Sequence, residues 1–223
     1  MKQDELNEIL RLHEAWLAGE DGGERAELSG ADLHHARLQD ADLQGAVLQH
    51  AILRNSDLQG ADLQHAILGD SDLQGAILQH AILHDVDFRR ADLRGADLQH
   101  SDLWGADLQN AILGDSDLQG ADLRGADLRH SDLQRADLQH SDLRGVDLDY
   151  ASWPLWCGSL KAYVDDRIAI QLLYHTLSVV QHSPYVSEEV KKALLSEENV
   201  RIANRFHRIG ECGEIKEWEE GTK

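Results

Sequence analysis

Residues 26–50 read AELSG ADLHH ARLQD ADLQG AVLQH, and the same five-residue phrase runs on without insertion or deletion to Tyr150. From Leu28 to Leu148 every fifth residue is Leu, with Phe88 the one exception. Two places before it stands Ala, Ser or Val, 17, 6 and 2 times respectively, so a small side chain accompanies each large one. The residue between them is usually Asp, as in Ala31-Asp32-Leu33 and Ala61-Asp62-Leu63. The unit is A-D-L-x-x.

A period of five fits neither common element. An α-helix would rotate each successive Leu by about 140° and smear the apolar residues around its axis. A flat strand would send alternate Leu to opposite faces. A chain that turns a corner every five residues instead points every Leu and every small residue at one axis. On these residues the sequence resembles the pentapeptide-repeat family, whose A(D/N)Lxx pattern it follows over more than half the chain. The resemblance implies an all-β solenoid: a right-handed, quadrilateral parallel β-helix of about twenty residues per coil, Leu and the small residue inward, the other three outward. Residues 26–150 then make about six coils, roughly 30 Å long at strand spacing. Each fully buried Leu contributes roughly 1.5–3 kcal/mol, and coils must stack to close one another's ends. Phe88 beside Val86 reads as a local widening of the core.

Twenty residues per coil turn the sequence into a surface map. One face stacks Gln39, Gln59, Gln79, Gln99, Gln119 and Gln139, which reads as a coil-to-coil amide ladder. The same face carries Asp57, Asp97, Asp117 and Asp137 in one column, with Arg37 its only arginine. The next face stacks His84, Trp104, Arg124 and Arg144, suggesting a cation–π pair between Trp104 and Arg124, beside Gly105, Gly125 and Gly145. Seven histidines close repeats: His35, His50, His65, His80, His100, His130 and His140. His80 and His100 would stack, but nothing evident completes a metal set around them, and they read as polar surface. Val47, Ile52, Ile67, Ile77, Ile82 and Ile112 replace the usual Asp, the first five within two coils.

The chain holds 21 basic and 41 acidic residues, a net charge of −20. Residues 26–150 hold 23 acidic residues, nine arginines and no lysine. Spread along roughly 30 Å, that net charge approaches one per about 2 Å, against one per about 1.7 Å for B-DNA. Such a surface repels nucleic acid and anionic membranes and attracts basic partners. The local alternative is that each Asp serves its own backbone and solubility. Two cysteines, Cys157 and Cys212, form no disulfide framework, and no leader or membrane-spanning pattern is seen, so a cytoplasmic protein is expected.

Outside the repeats the pattern is helical. Residues 1–25 read as an N-terminal cap: Leu6, Ile9, Leu10, His13, Trp16 and Leu17 share helical spacing, and Gly19 and Gly22-Gly23 end it. Residues 151–223 read as a C-terminal cap and helical region. Trp153, Leu155 and Trp156 would plug the last coil. Residues 164–181 form a helix with more than one apolar face, through Ile168, Leu172, Leu173, Tyr174 and Leu177 among others. Such a helix needs two neighbours, which predicts a homodimer through this region. Ser187, followed by Glu188 and Glu189, caps a further helix.

No nucleophile elbow, phosphate loop or Cys–His motif occurs, so an enzyme is not expected, and no cofactor or metal is. The expectation is a binding protein. The resemblance implies one mechanism: some pentapeptide-repeat proteins, notably the quinolone-resistance group, are dimeric rods that mimic B-DNA and engage DNA gyrase. On that reading the partner is a protein such as a type II topoisomerase, not nucleic acid. This chain departs from that group in having no projecting loop within the repeats and a C-terminal extension of about 70 residues. The alternative is a structural module in which the C-terminal helices bind and the tube is a spacer.

Overall fold

The computed structural model describes residues 1–152, 162–182, 184 and 186–204. The chain divides into two compact units, Met1–Tyr163 and Val164–Lys223.

In the first unit each turn of the chain lies one register above the last. Parallel bridges join Arg37 to Asp57, Asp97 to Asp117 and Asp117 to Asp137, each pair twenty residues apart. Three series of backbone bonds carry the stack, one of them from the corner N–H groups to the next coil, as from His100 to the Gln119 carbonyl at 2.9 Å. The Leu98 N–H donates to the Asp117 carbonyl at 2.7 Å, and the Asp117 N–H donates to the Ala96 carbonyl at 3.0 Å. An i→i+3 bond then closes each corner, as from the Ser101 N–H to the Leu98 carbonyl at 3.1 Å. The bridges are isolated and, among the described residues, never lengthen into strands. This corrects the expectation of an all-β solenoid in the strict sense. A corner every five residues leaves too short an extended side for consecutive ladder pairs.

The corners explain the fifth position. All 25 of these residues, from Gly30 to Tyr150, have positive φ, near +51° to +76°. That is the left-handed region, which Gly enters freely and Asn, Asp and His enter more readily than other residues. The seven repeat-closing histidines are corner residues. Where the Asn55 side chain leans over the next coil the residue beneath is Gly75, on which a Cβ would lie 2.7 Å from Asn55 Oδ1, so that a larger residue there would displace the Asn55 side chain.

The core is the double column foreseen from the period. Leu28 through Leu148, Phe88 and Val86 are buried, and the small residues fill the space between them. The buried serines are satisfied locally: Ser56, Ser71, Ser101, Ser116, Ser131 and Ser141 each donate to the carbonyl three residues back, at 2.6–2.7 Å. A hydroxyl so paired avoids the penalty of a buried unsatisfied group.

Helix α1 (Gln3–Leu17) precedes the repeats, within the residues expected to form an N-terminal helix. The Lys2 N–H donates to Glu5 Oε2 at 3.1 Å and closes its first turn. The Gln3 side-chain amide meets the open edge of the first coil in both senses. Its Nε2 donates to the Arg37 carbonyl at 3.1 Å, and its Oε1 accepts from the Arg37 N–H at 3.0 Å. At the other end of the repeats Tyr163 bridges to Asp142, 21 residues back. Trp153, Leu155, Trp156 and Cys157 lie outside the described residues, as does the tail from 205.

In the second unit α2 (Asp166–His182) meets α3 (Glu188–Leu194) and α4 (Glu197–Ala203). Ser187 caps α3, its Oγ accepting from the Val190 N–H at 3.4 Å. Tyr174, Leu177 and Val180 pack with Leu195, Val200 and Ala203. Ile168 is also buried, and Leu172 and Leu173 are half-buried. The helix thus finds two neighbours in its own unit.

Candidate interaction face

Every Asp in the second position of a repeat does the same local work. Its Oδ1 accepts the N–H two residues on, as from Gln99 to Asp97 at 3.2 Å, Gln119 to Asp117 at 3.0 Å and Gln139 to Asp137 at 3.0 Å. This is the Asx turn that leads each side into its corner. The faces differ in what holds the other oxygen.

On three faces a cation takes it at several positions, although Asp62 there accepts from Gln44 and Gln64. Arg89, Arg94, Arg124, Arg129 and Arg144 each close on the Asp two residues before, at 2.5–2.6 Å, and Arg54 reaches Asp72 at 2.5 Å. The carboxyls respond. Hydrogen bonding from Arg89 holds Asp87 below the usual carboxylate range against the opposing effect of burial, and Arg124 and Arg144 do the same for Asp122 and Asp142. His84 sits 2.5 Å from Asp102.

On the fourth face it is an amide. The column there runs Arg37, Asp57, Ile77, Asp97, Asp117, Asp137 through consecutive bridges. Gln39, Gln79, Gln99 and Gln119 each donate Nε2 to the Asp of the next coil, at 2.5, 2.6, 2.9 and 3.2 Å. The expected amide-to-amide ladder is therefore corrected. The amides stack in register, but a carboxylate eighteen residues on is a stronger acceptor than an amide twenty residues on. Among the described residues no arginine, lysine or histidine forms an ion pair with Asp57, Asp97, Asp117 or Asp137, so this stripe keeps its charge.

Other surface expectations fare differently. Arg124 is committed to Asp122, and the aromatic neighbour of Trp104 is His84, edge-on with ring centroids 5.8 Å apart, instead of an Arg124 cation–π pair. His80 and His100 do stack, 5.4 Å apart and nearly parallel. Among the described residues no group of three His, Cys, Asp or Glu is placed to hold a metal. The isoleucines are divided among different sides: Ile52, Ile77 and Ile112 are exposed, Ile67 and Ile82 half-buried, and Val47 nearly buried. Sequence reading missed the Gln-to-Asp pairing and the left-handed corners. The restriction of the fifth position to Gly, His, Asp, Asn, Arg and Tyr was the signal for the corners.

Compared with known families, the chain matches the model for pentapeptide repeats in 8 copies, over residues 26–64, 56–95, 91–129 and 111–149. Among solved structures it is similar to the pentapeptide repeat protein Rfr23 from the cyanobacterium Cyanothece 51142. There the identity is 33% over 49% of this chain and 64% of that one, with a TM-score of 0.33. It is also similar to alr5209 from Nostoc Pcc 7120, at 28% identity over 70% of this chain and 93% of that one, TM-score 0.36. The plasmid-mediated fluoroquinolone resistance protein QnrB1 aligns at 16% identity over 69% of this chain and 92% of that one, TM-score 0.39. No match is found among curated proteins. Among the described residues no helix is long and apolar enough to cross a membrane.

Proposed function

Starting from the fact that this chain belongs to the pentapeptide-repeat family, whose members fold as right-handed β-helices, we propose that it is a non-enzymatic, cytoplasmic protein-interaction scaffold. Its Asp57–Asp137 face mimics the charge of B-DNA and binds a basic DNA-binding protein such as DNA gyrase. The observation that carries this reading is the contrast between faces. On each of the other three arginine closes some of the carboxylates, Asp72, Asp87, Asp92, Asp122, Asp127 and Asp142 among them, whereas Asp57, Asp97, Asp117 and Asp137 are in no ion pair among the described residues and are held by neutral glutamines. An unneutralised stripe on a rigid stack steers a basic partner and falls silent as salt screens it. In this reading the repeats form about six coils, α1 caps the first, and the region after Tyr150 closes the last and joins two copies.

The test is inhibition of gyrase supercoiling by the full chain across a salt series, with and without competing duplex DNA. Inhibition relieved by added duplex and by salt supports the proposal. A chain without effect on gyrase at low salt rejects it. Light scattering on the full chain tests the dimer, and a monomer removes that part alone.

A second reading has its own observation. Tyr174, Leu177 and Val180 form a core with α3 and α4, so the C-terminal helices make a compact unit. That suits a structural module in which the helices bind and the repeats are a spacer. Gyrase inhibition lost on removal of the helices but retained in stripe variants would favour it.

A further inference from the structure

We propose that His13 is a pH-sensitive latch: neutral, it holds α1 on the edge of the first coil, and its protonation releases the helix.

The imidazole is completely buried, unusual for a residue able to charge near neutrality. Its Nδ1 accepts the Ala26 N–H at 3.1 Å, so the bonded ring is neutral with its proton on Nε2. Nε2 is also buried, close to the Gln44 backbone but without a well-formed hydrogen bond. Trp16 covers one side of the ring, nearly parallel at 5.4 Å. The helix therefore meets the start of the repeats through an acceptor that exists only in the neutral form. The other polar ties are the Gln3 amide at Arg37, which does not titrate, and the Met1 ammonium, which donates to the Asp32 carbonyl at 2.6 Å and is common to wild type and to any His13 variant.

Protonation would set a donor at Nδ1 against the donor N–H of Ala26 and leave a cation in a site closed to water. The charged groups facing the ring come from each packed segment: Glu14 on α1, Arg25 on the connection, and Asp42 on the first coil. Burial is the dominant influence and pushes the imidazole pKa down. The two carboxylates oppose it and Arg25 adds to it. The docked pKa therefore lies below that of a released histidine, about 6.5. The sign follows. Docking is complete above about 6.5 and is lost as pH falls through the docked pKa, because the released state binds the proton more tightly. Release would uncover Leu6 and free the Arg37 edge of the first coil, a pairing template of the kind proteins otherwise keep covered.

Hydrogen exchange on the full chain, corrected for the intrinsic pH dependence of exchange, tests this between pH 7.5 and 5.0. Protection of α1 amides and of Ala26 should fall by up to about tenfold per pH unit as pH drops from about 6.5 toward the docked pKa, the limit for one proton, and level off below it. Protection around Leu98 should stay constant. His13→Gln keeps an acceptor for Ala26 and cannot titrate, so its α1 protection should be flat over the same range. Should that variant fail to dock at pH 7.5, an NMR titration of the wild-type His13 ring decides, because its midpoint must coincide with the loss of α1 protection. Wild-type protection independent of pH, a docked His13→Gln variant that loses protection like wild type, or a ring that titrates without release would each overturn the latch.

Discussion

Replacing Asp97, Asp117 and Asp137 together by Asn separates the charge of the stripe from its structure, and the expected costs can be worked out. Each Asp uses Oδ1 for the Asx turn and Oδ2 for a glutamine of the coil before. Asn keeps one acceptor, enough for the turn. Its amide then confronts the glutamine Nε2, and the glutamine must rotate to offer Oε1. The exchange of a charge-assisted bond for a neutral one costs on the order of 0.5–1 kcal/mol each. Against that stands repulsion along the column, where neighbouring carboxylates about 4.8 Å apart repel by about 0.9 kcal/mol in water, roughly half that at physiological salt. Two such contacts vanish. The net cost is about 1 kcal/mol, a melting shift of roughly 2–4 °C. Binding should suffer more: three interfacial charges at about 0.5–1 kcal/mol each weaken a complex tenfold or more. Asp92→Asn is the control, because Arg94 already closes that carboxylate at 2.5 Å. The assay is gyrase supercoiling at low salt beside thermal melting. A triple variant that inhibits like wild type, or one that fails only because it melts many degrees lower, refutes the reasoning.

Three further outcomes are expected. Leu98→Asp places an unpaired charge where the side chain is fully buried and should destabilise by several kcal/mol in urea titration; a wild-type midpoint would mean the Leu column does not face inward. Gly95→Ala, at φ +63° with open space around the new Cβ, should cost about 1 kcal/mol from backbone strain alone, read as a small fall in melting temperature; no change would deny the left-handed corner. Gln99→Arg with Gln119→Arg should leave melting unchanged or slightly raised yet abolish salt-dependent inhibition of gyrase; retained inhibition would show that net charge on this face is irrelevant.

The fold was legible because one period controls everything along the axis. A five-residue phrase without slips sets which residues point inward, and stacking at twenty follows from four sides. The register at Arg37–Asp57 and the burial of Leu98 needed no further information. What was not legible lies across the axis. Gln79 and Gln99 are a coil apart in the same column, which suggests that they pair. Their side chains lean instead toward Asp97 and Asp117, and that lean depends on corner geometry the period does not encode. The same limit applies in the helices: the apolar faces of α2 announce that neighbours are needed but not whether another copy or α3 and α4 supply them.

The choice between Gln and Arg in the fourth position is where structure and function meet. Both residues serve the stack: Gln74 and Arg54 each reach an Asp eighteen residues on, at 2.7 and 2.5 Å. Arg also neutralises, and in the pairs Arg89–Asp87, Arg124–Asp122 and Arg144–Asp142 it draws the carboxyl pKa below its usual range. Stability alone would therefore favour arginine on every side, since each neutralised carboxylate removes repulsion from the column above and below it. The fourth position of the Asp57–Asp137 face nevertheless holds glutamine in all six repeats from Gln39 to Gln139. Local hydrogen bonding does not require this, because the Asx turn and the coil-to-coil bond are available with either side chain. What glutamine preserves is the uncompensated charge of Asp57 and of the consecutive Asp97, Asp117 and Asp137, and it is this charge that the proposed binding of a basic partner would read.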